Sequence, residues 1–136
     1  MQRVPSFIKY EDALDALNII EWRITASCSS LEEFKIHFFK KVNDEFTQDE
    51  SLFGFTYQDV ENKYQELKDA EPMRLLRLER NRLLQETDWM ANSDVVMTDA
   101  WKTYRQALRD LPENSANVAI NENGTLINVE WPVKPE

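Results

Sequence analysis

His37 is the single histidine of the chain, so any imidazole chemistry has to run through it. It stands between Ile36 and Phe38, with no serine elbow and no nearby aspartate to complete a triad, and it reads as a partly buried or surface side chain. The acid pairs Glu32-Glu33, Asp44-Glu45 and Asp49-Glu50 could serve acid/base work or bind calcium, but they lack the glycine-interrupted loop that a calcium site needs. They read as a solvated acidic face. Cys28 is the one cysteine, which excludes an internal disulfide and a multi-thiolate zinc centre; no base near it would favour a thiolate. Gly54 and Gly124 are the only glycines, too few for a Walker loop or a dinucleotide-binding turn. No catalytic, cofactor-binding or metal-binding residue is therefore expected.

Arginines offer the remaining chemistry. Arg74, Arg77, Arg80 and Arg82 could form a phosphate-binding patch, with Trp89 and Trp101 as stacking surfaces. Residues 71–112, however, hold seven acids against seven bases, and the whole chain carries a net charge of -9, the wrong sign for a general phosphate-backbone binder. Neither nucleic acid, membrane nor a small-molecule substrate is an expected partner. At 100° per residue, Arg80 falls in the same sector as Met73, Leu76, Leu83 and Leu84, and a guanidinium in an apolar stripe needs a carboxylate. Asp88 is the first expected partner and Asp110 the second.

The elements that hold these residues follow from periodicity. With 136 residues, 42% hydrophobic and 30% charged, the chain has material for a packed core, and its length fits one domain or a small domain with an appended arm. A reduced, cytosolic setting is expected from the single cysteine, and no run resembles a membrane span or a standard export signal. Ile20, Trp22 and Ile24 alternate with charged residues, as in a half-buried strand. Ser30 to Glu33 reads as a capping box, with Leu31, Phe34, Phe38 and Val42 spaced for a helix from Leu31 to Asp44. That stripe reads as core rather than as a partner groove. Thr56 and Asp59 start a second helix through Tyr57, Val60, Tyr64 and Leu67, ending near Ala70, and Pro72 opens a third running to Glu86. A loop through Asp88 and Trp89 leads to a helix marked by Trp101, Tyr104, Leu108 and Leu111, which Pro112 stops. The two helices predict an αα-hairpin, with Trp89 and Trp101 mostly in its core.

Asn123-Gly124 predicts a two-residue turn that sets Ile120 opposite Ile127 and Val118 opposite Val129. The expected fold is thus α+β and mostly helical: an N-terminal helical module with a possible strand, then a C-terminal αα-hairpin and a short β-hairpin. Charge supports a division into an acidic module, residues 1–70, and a second unit, residues 71–136.

The second unit carries a recognisable set of motifs. Arg80-Asn81-Arg82-Leu83-Leu84, then Thr87-Asp88-Trp89, then Trp101-Lys102-Thr103-Tyr104-Arg105-Gln106-Ala107-Leu108-Arg109-Asp110-Leu111-Pro112, and finally Trp131-Pro132-Val133-Lys134-Pro135 closely resemble the phage tail assembly chaperone family, also described as tail fibre assembly proteins. The resemblance covers roughly residues 71–135 and points to Arg80, Asn81, Asp88, Trp89, Trp101, Tyr104, Arg105, Leu108, Pro112, Trp131 and Pro132 as its structural motif. Two departures accompany it: the linker Met90 to Met97 lacks a proline often found there, and the segment from Pro112 to Trp131 is longer than in compact members.

The resemblance implies a non-enzymatic helper of bacteriophage morphogenesis. It would need no cofactor, would bind an oligomeric tail or tail fibre protein, and would act in the cytoplasm of the infected host. Physically, fibrous trimers expose apolar edges until three chains register, and a small acidic protein can cover them meanwhile. Residues 1–70, which match nothing recognisable, are the expected client-binding region. The alternative is a permanent small subunit of the virion tail or fibre tip, and a third class is an acidic regulator that mimics DNA.

Overall fold

Thr56 and Asp59 open the longest element by exchanging hydrogen bonds: the Thr56 N–H donates to Asp59 Oδ2 at 2.9 Å and the Asp59 N–H to Thr56 Oγ1 at 3.0 Å. The helix that starts there, in a computed structural model describing residues 8–136, runs Tyr57–Gln85 without a break at Pro72. In chain order the elements are α1 (Tyr10–Ala16), β1 (Trp22–Ile24), α2 (Leu31–His37), β2 (Phe38–Val42), β3 (Glu45–Thr47), α3 (Tyr57–Gln85), α4 (Asp99–Asp110), β4 (Ala119–Ile120) and β5 (Leu126–Ile127). Helix covers about 48% of the described residues and strand 12%, a mixed α+β composition. Two compact units divide the described residues, 8–69 and 70–136.

Residues 8–69 build an aromatic core around a three-stranded antiparallel sheet of order β1-β2-β3. Tyr10 stacks on Phe34 and Tyr64, with ring centroids 4.8 and 4.0 Å apart, and Phe34 stacks on Phe38. The expected helix from Leu31 to Asp44 is corrected here. Ser30 Oγ does accept from the Glu33 N–H, but α2 ends at His37 and Phe38–Val42 is a strand. Tertiary pairing overrides the helical spacing, because β2 is hydrogen-bonded on both sides and Asn43 and Asp44, with φ of 51° and 67°, form the tight turn into β3. Phe34 and Phe38 remain core residues, each fully buried.

Within residues 70–136, Leu75, Leu76, Leu111 and Leu126 are buried together, with Met73, Val118, Ile120, Val129 and Trp131 packed against them. Pro72 does not open a new helix. It lies inside α3, and the following turn is supported by the buried Glu71 carboxylate, which accepts from Arg74 Nε at 2.8 Å. The expected hairpin register also needs correction by one residue. Ala119 pairs with Ile127 and Ile120 with Leu126, around a three-residue loop in which only Gly124 has positive φ. Asn121 Oδ1 accepts from the N–H groups of Asn123 and Thr125, fixing that loop, so Leu126 rather than Ile127 points inward. Asn128, at φ 63°, then lies between the inward-facing Leu126 and Val129.

Candidate functional site

Arg105 is the charged residue on which the middle of the family-like region converges. It lies on the buried face of α4 between Tyr104 and Leu108, and only 7% of its surface is exposed. Its Nη1 donates to the Leu84 carbonyl at 2.9 Å and to Thr87 Oγ1 at 2.5 Å, and its Nη2 donates to Asp88 Oδ1 at 2.9 Å. Thr87 is itself buried, and its hydroxyl donates a hydrogen bond to the Leu84 carbonyl at 3.2 Å. One guanidinium therefore satisfies the end of α3 and the 3₁₀ turn Asp88–Ala91 together.

The expected Arg80 to Asp88 pair is not formed. Arg80 donates Nε and Nη2 to the side-chain oxygen of its exposed neighbour Asn81, at 3.1 and 2.9 Å, while Asp88 is taken by Arg105. Of the sector-mates only Leu76 is fully buried, whereas Met73, Leu83, Leu84 and Arg80 itself are half-buried, so the guanidinium is not enclosed and needs no carboxylate. Arg82 is held instead by Glu79 and Glu86, both at 2.7 Å, and these carboxylates push its already high pKa further up.

Trp89 is 56% exposed and donates its indole N–H to the Glu86 carbonyl, so its placement in a helical core is corrected. Trp101 is half-buried and meets the buried Tyr104 edge-on at 5.7 Å. Leu108 is fully buried, and Pro112 follows the last turn of α4. Trp131 joins the Leu75, Leu76, Leu111 and Leu126 cluster. Pro132, Val133 and Pro135 line a shallow apolar groove with Ala100, Thr103 and Ala107 of α4, and Lys134 Nζ lies 3.9 Å from Glu86 Oε2.

In residues 8–69 a cavity of about 460 Å³ opens at the surface. Leu17, Ile19, Ile20 and Phe55 give it apolar walls, and Lys63 and Glu66, paired at 3.0 Å, stand among the residues that line it. Such a mixture accepts an apolar side chain with a polar backbone beside it. His37 Nδ1 shares a 2.8 Å hydrogen bond with Thr25 Oγ1 and meets no carboxylate among the described residues. Burial first, then Glu11 and Glu33, push the Cys28 thiol up, away from a nucleophilic thiolate. Among the described residues no cluster of His, Cys, Asp or Glu could hold a metal, and no helix is long and apolar enough to cross a membrane.

Sequence reasoning missed the central role of Arg105 and the contribution of Thr87, although both stand inside the quoted motifs. The available signal was helical spacing: Arg105 lies next to Tyr104 and three residues before Leu108, on the side that α4 buries. Comparison with curated proteins and with solved structures finds no match. The family model described as phage tail assembly chaperone protein matches residues 73–136, the stretch that carries the Arg80 to Pro112 and Trp131 to Pro135 motifs, and so places this stretch in the family that the sequence resembles.

Proposed function

We propose that the protein is a non-enzymatic assembly chaperone that binds an unfinished phage tail or tail fibre protein and assists its folding, oligomerisation or attachment in the infected cell. The observation that carries this reading is the family match over residues 73–136. Two properties support it. A net charge of -9 keeps a complex with a sticky, incomplete client dispersed. Apolar side chains such as Ile20, Ile36, Leu52 and Val133 stand exposed, as a binder of apolar surfaces requires.

Within this reading, residues 1–70 supply the client contact, a role that the open cavity walled by Leu17, Ile19, Ile20 and Phe55 supports, and residues 71–136 are the chaperone-like domain. Co-expression of the full chain with the tail protein of the same phage tests the proposal. Soluble, correctly oligomerised tail protein should increase, and the chain should be absent from purified particles. Recovery at fixed stoichiometry in particles would instead make it a permanent tail subunit, and the lack of any complex would remove both roles.

A further inference from the structure

The outward face of the three-stranded sheet concentrates positive charge and aromatic surface in an acidic protein. Phe38 is buried, so alternation along β2 turns Phe39 and Lys41 to the other face. Register then sets Arg23 of β1 opposite Phe39, and Phe46 of β3 opposite Lys41, on that same face. The Arg23 guanidinium carbon lies 4.8 Å from the Phe39 ring centroid and 4.5 Å from that of Phe46. Contact with the ring faces does not consume the guanidinium N–H donors, which stay available to an acceptor.

No carboxylate among the described residues lies within ion-pair distance of Arg23, although acids outnumber bases 25 to 16 in the chain. Lys41 is met only loosely, by the fully exposed Asp44 at 3.9 Å. Two cations flank two partly exposed rings, and the stacked one is pre-positioned at little further entropic cost. The charge that complements this face is anionic, and a planar carboxylate fits the guanidinium edge with two parallel hydrogen bonds.

We propose that this face docks an acidic segment of a partner protein, a carboxylate bridging the N–H edge of Arg23 while an apolar side chain two residues away lies on Phe46. Two-residue spacing follows from an extended segment, whose alternate side chains share a face. That the partner is an unfinished tail protein rests on the function proposed above; the chemistry of the surface does not.

The test is a fluorescence-anisotropy titration of a labelled peptide of repeated Glu-Ser-Leu-Ser with the full chain, beside its glutamine counterpart and a labelled oligothymidine. Binding should favour the glutamate peptide, weaken with salt, and shift the amide resonances of Arg23, Phe39, Lys41 and Phe46. Arg23→Gln should weaken it about tenfold, with Arg23→Lys between, since lysine keeps the charge but loses the fork. A urea melt for each variant verifies that the fold is intact, and charge reversal gives a second reading: Arg23→Glu should prefer a Lys-Ser-Leu-Ser peptide. Equal binding by wild type and Arg23→Gln, resonance shifts confined to other residues, or tighter binding of oligothymidine at this face would overturn the proposal. Peptide binding through Arg23 without any complex with the tail protein would leave this surface standing and remove the chaperone reading. The reverse pattern, with Arg23→Gln still rescuing the tail protein, would remove the surface alone.

Discussion

Burying a guanidinium costs roughly several kcal/mol unless its N–H groups find acceptors, and Arg105 finds a carbonyl, a hydroxyl and a carboxylate. Thr87 and the Leu84 carbonyl keep their mutual hydrogen bond and Asp88 is open to water, so Arg105→Met removes charge-assisted bonds without stranding a buried charge and should lose about 2 kcal/mol in urea denaturation. Arg80→Met, which only breaks a contact with exposed Asn81, should stay within about 0.5 kcal/mol. The opposite order would return the structural role to Arg80. Tyr10 gives a pH prediction. Its hydroxyl donates to Glu61 Oε2 at 2.5 Å, and burial, then this bond, raise its pKa well above the ordinary tyrosine value. Burial similarly raises Tyr57 and Tyr104. A raised pKa in the folded state means that the folded chain holds its proton longer. The stabilisation is therefore complete below about pH 10, the unfolded value, and is lost as pH rises beyond it. Urea midpoints should fall between pH 9 and 11, and Tyr10→Phe should make the fall shallower; an unchanged slope would show that the Tyr10 proton is not linked to folding.

Element boundaries turn on contacts distant in sequence, and this decides what could be read early. Thr56 with Asp59 is a local cap, legible from residue type alone, and starts a helix where expected; Thr98, which accepts from the Trp101 N–H, caps α4 and is an equally local signal. Alternation from Trp22 to Ile24 likewise gives a strand. Phe38–Val42 was illegible as a strand, because Phe38-Phe39-Lys40-Lys41-Val42 does not alternate apolar with polar and only pairing with β1 and β3 makes it extended. The C-terminal loop shows the finer limit: Asn-Gly fits a two-residue turn, but the Asn121 side chain stabilises a three-residue one and shifts every pair. Leu126→Ala should accordingly cost about 3 kcal/mol, while Ile127→Ala, at a position 38% exposed, should cost under about 1 kcal/mol. Reversed costs would restore the register with Ile120 opposite Ile127. Pro72 interrupts nothing visible in α3 but withholds one backbone donor. Pro72→Ala should stabilise the chain by about 2 kcal/mol, the gain in helix propensity less the added freedom of the unfolded chain. A lower melting temperature for this variant would contradict that balance.

For the molecule as a whole, composition and absent motifs steered away from familiar catalytic sites, and the motifs of residues 71–135 named a family that the match over residues 73–136 supports. The acidic first module gave no family and no contact surface in sequence, since its cavity and its Arg23, Phe39 and Phe46 face are made by residues distant along the chain. A cut after residue 70 is a poor test of its role, because it would divide α3. The central claim is that the intact chain engages a tail protein before assembly is complete. Affinity purification of the tagged full chain from infected cells, paired with analysis of purified particles, measures this most directly. The account predicts a tail or tail fibre protein recovered with the chain from lysate, and particles free of the chain. Lysate in which the chain holds no tail protein, or particles that contain it at fixed stoichiometry, would contradict it.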